Sequence, residues 1–260
     1  MNFYWVYDIP NGQFALLCIS FFVVIAVLGL VILRRFIQNR VIQQSHNDIV
    51  SFYMAGLNAI YGITLGLIAV GAWENFSDID ANVSKEASAV AAVYQDTHNI
   101  TGPLGDSMRA QIKEYTRYTI EDAWPKQRQG LLPHGGTQRL TAFQNTLAQY
   151  EPITKNQEIV LAEIYKQFNT IIELRRIRLQ NVTNGLPAAI WYVIFFGAFL
   201  NIVITWFFIT DKFRVHVLMT VLFAALLGSL VFLVAAMDNP FRGEFSVGSD
   251  AFEIVMENMK

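Results

Sequence analysis

Four apolar runs, Phe14 to Leu33, Phe52 to Trp73, Leu186 to Ile209 and Val217 to Met237, contain no Asp, Glu, Lys or Arg. A helix rises about 1.5 Å per residue, so roughly 20 residues cross a hydrocarbon core, and each run is about that long. Inside hydrocarbon every backbone N–H and C=O must find its partner within the segment, so runs of this kind read as spanning helices. Four crossings put both termini on one side. Hydrophobic residues make up 53% of the chain and charged residues 15%, against roughly 25% charge in soluble domains. The predicted class is an all-α integral membrane protein.

The first span is expected to stay in the mature protein, because Asp8 and no Lys or Arg precede it and no small-residue cleavage site follows. The single cysteine, Cys18, lies inside it, which excludes an intrachain disulfide and a cysteine-based metal cluster. Orientation follows from the short connections, where Lys and Arg mark the cytoplasmic side. Arg34, Arg35 and Arg40 stand between spans one and two, and Lys212 and Arg214 against Asp211 between spans three and four. Both connections read as inside. The segment between spans two and three is then expected outside the cytoplasm; Arg175, Arg176 and Arg178, just before span three, count the other way.

That long segment reads as helical, so the chain divides into an interfacial segment (1–13), spans one and two (14–77), a helical extramembrane domain (78–185), spans three and four (186–237) and a tail (238–260). Its first helix is expected over Asp78 to Thr97. A second opens at Pro103 and ends at Pro125, a third is capped by Thr137, and the longest runs from Thr154 to about Asn184. Ile164, Phe168, Ile171 or Ile172, and Leu179 form the buried face of that last helix.

Signals of catalysis are absent from the pattern. His46, His98, His134 and His216 stand far apart, with no i, i+4 pair to hold a metal on one helix face. No Gly-rich phosphate loop with Lys, nucleophile elbow or intramembrane carboxylate cluster occurs. Neither an enzyme, a cofactor, a metal site nor a nucleic-acid partner is expected.

Span two is the informative helix. At about 100° per residue, Ala55, Ala59, Gly62, Gly66, Ala69 and Ala72 cover one broad face, with Asn58 at its edge. Two readings follow, close helix packing through Gly62-x-x-x-Gly66 or a pore wall in which Leu65 or Ile68 forms a hydrophobic restriction closed by dewetting. On the second reading Asn58, Gly62, Leu65, Ile68 and Ala69 line the path. Glu74, Asp78 and Asp80, followed by Glu86, give its mouth stacked acidic rings; a solvated helix start with favourable acids is the alternative.

Several stretches carry a family resemblance: Phe76-Ser-Asp-Ile-Asp80 through Glu86-Ala-Ser-Ala, Glu121-Asp-Ala-Trp124, Arg175-Arg-Ile-Arg-Leu179 before Leu186-Pro-Ala-Ala-Ile-Trp191, and Asp238-Asn-Pro-Phe241-Arg-Gly243. Over roughly Ala55 to Phe252 the chain resembles the bestrophin-like family of prokaryotic membrane proteins. Bestrophins proper are pentameric anion channels with four spans, a pore lined by the second and an Asn-Pro-Phe motif after the last. The resemblance implies a homo-oligomer, a pentamer by analogy, in the inner membrane, with lipid around it and inorganic ions as its cargo. It favours anions, whereas the acidic mouth favours cations. No acidic calcium-binding cluster is evident after Phe241. A transporter, or a non-conducting sensor or scaffold that binds a partner through the helical domain, completes the alternatives.

Overall fold

The computed structural model describes residues 4–37, 45–210 and 212–259; Arg40, Asp211 and Lys260 lie outside the described residues, as does the Arg35 side chain. The architecture is all-helical. In chain order come α1 (Asn11–Ile37), α2 (Ser45–Asp96), α3 (Pro103–Tyr118), a π-helical turn (Thr119–Ala123), α4 (Trp124–Arg128) and α5 (Gly135–Leu147). Then follow α6 (Lys155–Asn181), α7 (Ala188–Trp206), α8 (Phe213–Asp238) and α9 (Asp250–Glu257). Helices α1, α2, α7 and α8 are long and apolar enough to cross a membrane, so the protein is an integral membrane protein with four spans. The chain forms two compact units, the first of residues 1–74, 185–238 and 243–245 and the second of 75–184, 239–242 and 246–260.

In the first unit α1 lies along α8 at backbone contact. A Cβ added to Gly228 would come 2.8 Å from Ile19 Cα and 3.1 Å from the Cys18 carbonyl oxygen, so only glycine permits that approach. Gly29 and Gly197 do the same for two large rings, Trp206 and Tyr61. Each ring also disposes of its polar atom, Trp206 Nε1 donating to the Ala26 carbonyl at 2.8 Å and the Tyr61 hydroxyl to the Ile194 carbonyl at 3.0 Å. In hydrocarbon an unpaired polar atom would cost several kcal/mol. The turn between α7 and α8 is tied to the start of α2: Asn47 bonds both the N–H and the carbonyl of Ile209, and His46 Nε2 meets the Phe207 carbonyl at 3.0 Å. His216 Nε2 likewise meets the Thr205 carbonyl at 2.9 Å.

The second unit has its own core, built around Val90, Met108, Ile112, Phe143, Phe168 and Phe252. Three of its helix boundaries differ from those read in the sequence. No separate helix starts at Asp78, because α2 runs unbroken from Ser45 to Asp96, about 78 Å at 1.5 Å per residue. Nothing in Glu74 to Asp80 breaks a helix, and apolar periodicity on both sides carries it through. Pro125 does not end the second helix. The π turn makes the Trp124 N–H reach back to the Thr119 carbonyl, and Pro125 then falls in the first turn of α4, where a missing N–H costs nothing. Helix α5 starts at Gly135 with His134 in the capping position, so Thr137 is already helical. The longest helix does begin as read. Thr154 accepts from the Gln157 N–H at 3.3 Å while Gln157 Oε1 accepts from the Thr154 N–H at 3.1 Å, a reciprocal cap.

Candidate functional site

Burial sorts the faces of α2. Leu65 is 2% exposed and packs with buried Tyr61 on Ile194, Ala198 and their neighbours in α7 and α8, and Ala72 on the same side is also buried. Ile68 and Ala69 are half-buried against the same core, and Asn58 is half-buried at its edge. Gly62 is exposed. Ala55, Gly62 and Gly66 form an exposed flank, and among the described residues a Cβ at Gly56, Gly62, Gly66 or Gly71 would meet nothing within 4 Å. Among the described residues, Gly62-x-x-x-Gly66 therefore packs against no other helix of this chain. Opposite the buried face runs a second stripe, Ile63, Leu67 and Val70, exposed by 67%, 68% and 53%. Spaced by four and three residues, these three share one side of the helix, and Glu74 continues the row four residues on.

Glu74, Asp78 and Asp80 are exposed, and among the described residues none of them is paired with Lys or Arg. They sit in the middle of α2, where no helix start exists for them to cap; that alternative fails because the helix is continuous. Glu74 and Asp78 fall on one side, while Asp80 lies roughly 160° round from Asp78.

Glu86 is no mouth residue. It is fully buried and receives two hydrogen bonds from Arg178, Nε to Oε2 at 2.7 Å and Nη2 to Oε1 at 2.9 Å, with the Tyr115 hydroxyl donating to Oε1 at 2.9 Å. Arg178 Nη1 donates to Gln127 Oε1 at 2.8 Å. The guanidinium carbon lies 5.1 Å from the centre of the Trp124 ring, which packs edge-on against Phe241 at 5.9 Å. Burial acts to lower the Arg178 pKa, but the adjacent Glu86 carboxylate outweighs it and holds the guanidinium charged. Burial and the same carboxylate push the Tyr115 hydroxyl well up, so it stays neutral and donates.

The sequence reading missed this network. Its signal was present as two opposite charges on apolar stripes, Glu86 beside Val83, Ala87 and Val90, and Arg178 in step with Phe168, Ile171 and Leu174. Ile171 rather than Ile172 is the buried member of that face, and Leu179 is only half-buried because Arg178 occupies the inward position. Arg178, paired inside its own domain, gives no information about which side of the membrane that domain occupies.

The stretches that stood out in the sequence converge here: Glu86, Trp124, Arg178 and Phe241 each come from a different one. Comparison with known proteins agrees with the geometry. A family model described as a Bestrophin-like domain matches residues 20–252. Among solved structures, two single-substitution variants of a bacterial bestrophin homologue from Klebsiella pneumoniae, each 12% identical, superpose with TM-scores of 0.68 over 94% of this chain and 98% and 97% of theirs. The same homologue phased on zinc gives a TM-score of 0.68 and 12% identity over 94% and 96%. No curated protein matches the sequence.

Proposed function

The chain belongs to the bestrophin-like family, and we propose that it is one subunit of a homo-oligomeric ion channel, pentameric by that resemblance, with α2 nearest the symmetry axis. One observation carries this reading: on α2 the side turned away from the protomer's own core bears large apolar side chains, Ile63, Leu67 and Val70, in line with the unpaired carboxylate of Glu74. Arranged around an axis, such a stripe makes a narrow dry neck with a charged ring at one end, the two elements a gated and selective pore needs. The small-residue flank of Ala55, Gly62 and Gly66 then meets the next protomer's α2, where bare backbone allows close approach.

The proposed wall differs from the residues first considered. Leu65, Ile68 and Ala69 support it from the core side, Asn58 lies at the edge of that core, and Gly62 belongs to the seam. Of the three acids, Glu74 and Asp78 face the path and Asp80 turns away. An exposed carboxylate repeated by symmetry attracts cations in a low-dielectric mouth, so cations are the proposed cargo. Anion conduction rests on the family resemblance alone. The proposed setting is the inner membrane with the helical domain outside the cytoplasm, supported by Arg34, Lys212 and Arg214 at the connections of the spanning helices.

Ion flux from liposomes containing the purified protein tests the reading. Leu67→Ser should raise flux because wetting the neck becomes easier, whereas Leu65→Ser should lower stability and leave the neck unaltered. No flux from the parent or from Leu67→Ser rejects the channel.

A further inference from the structure

Beneath α5 the second unit holds a cavity of about 10 Å³ whose lining includes Gln127, Gly136, Arg175 and Arg178. Beside the hydroxyls of Tyr118 and Thr119, three donor groups come to it. Gln127 is fully buried; its Oε1 accepts from Arg178, and among the described residues its amide nitrogen has no hydrogen-bond partner. Helix α5 begins at the same place, and no side chain caps its first N–H groups; such an end carries roughly half a positive charge. Arg175 completes the set. Its Nη2 donates to the Thr137 hydroxyl at 3.2 Å, and among the described residues it has no carboxylate within ion-pair distance. Gly136 lets the guanidinium lie against the helix start, since a Cβ there would stand 3.0 Å from it.

Charge points the same way. Glu86 neutralises Arg178, which leaves the charge of Arg175 and the helix end uncompensated beside an unpaired buried donor. An amide N–H buried without an acceptor costs about 1–3 kcal/mol, and an anion would satisfy it together with the other two donors. A volume of about 10 Å³ suits a single atom-sized guest better than a phosphate or a carboxylate ligand. We propose that this cavity binds one halide ion, chloride in the cell, held by Gln127 Nε2, Arg175 and the α5 N-terminus, and that the ion fastens the α5 end to α6. The site needs no conduction, so it stands or falls independently of the channel reading.

Bromide is the probe. Crystals of the full-length protein grown in bromide should give one anomalous peak within hydrogen-bonding reach of Gln127 Nε2. In detergent, Tm should rise saturably with bromide against gluconate at equal ionic strength, by about 5–10 °C at a hundredfold excess over Kd. Arg175→Gln, at a partly exposed position, should abolish that rise. A bare water in the cavity of bromide-grown crystals, with Tm equal in the two salts, overturns the proposal; the crystal result on the parent protein holds even if the variant misfolds.

Discussion

The Glu86–Arg178 pair shows how a single buried charge commits its surroundings. Removing two ions from water is expensive, and the pair survives because each partner is bonded again, Glu86 by Tyr115 and Arg178 by Gln127. Glu86→Gln or Arg178→Met alone should therefore cost about 3–5 kcal/mol. The double variant should cost clearly less than the sum, because neither charge is then stranded; additive losses in a double-mutant cycle of thermal melts would contradict this. Glu74 poses the opposite problem, a carboxylate with no partner among the described residues. If it rings the path, Glu74→Gln should shift the reversal potential in asymmetric salt towards anions. Glu74→Asp should restore it.

At the scale of elements, glycine has two unrelated uses in one bundle. Gly228 is where α8 touches the α1 backbone, so Gly228→Ala should separate those helices and lower Tm, with a loss of about 1–3 kcal/mol from overpacking. A Cβ at Gly62 or Gly66 would meet nothing among the described residues. Substituting them with Ala should leave the protomer fold intact or gain up to about 1 kcal/mol of helix propensity each, while Gly66→Leu should weaken assembly by filling the seam. Native mass spectrometry of the two sets separates the effects: assembly of Gly66→Leu equal to that of the parent would remove the seam. The π turn before Pro125 belongs to this scale too, one extra residue that lets a helix pass a proline and still carry Trp124 inward.

For the whole molecule, the measurable properties are subunit number and sidedness. Four helices of one protomer do not enclose a wide aqueous path, so a closed ring is expected. Mass photometry in detergent should find a pentamer, and a monomer at working concentration would exclude a shared pore. With Arg34, Lys212 and Arg214 inside, a cysteine placed at His134 should label with an impermeant maleimide in intact cells. Protection at that position would turn the protein over.

Spans and class were legible in the chain because they rest on local composition: about twenty apolar residues in a row have few fates. The family was legible through motif stretches spread along the chain, and the Thr154–Gln157 cap is a four-residue signal. What lies between distant segments was not. The continuity of α2 was hidden because its charged portion looks like a new start, although acids in mid-helix cost little. Leu65 and Leu67 are chemically identical and two residues apart, yet one is core and the other free surface, since only the placement of α7 and α8 decides which side of a helix is inward. Glu86 and Arg178 stand 92 positions apart; no local pattern pairs them, because the Coulomb and desolvation terms that bind them arise only once the domain has closed around both.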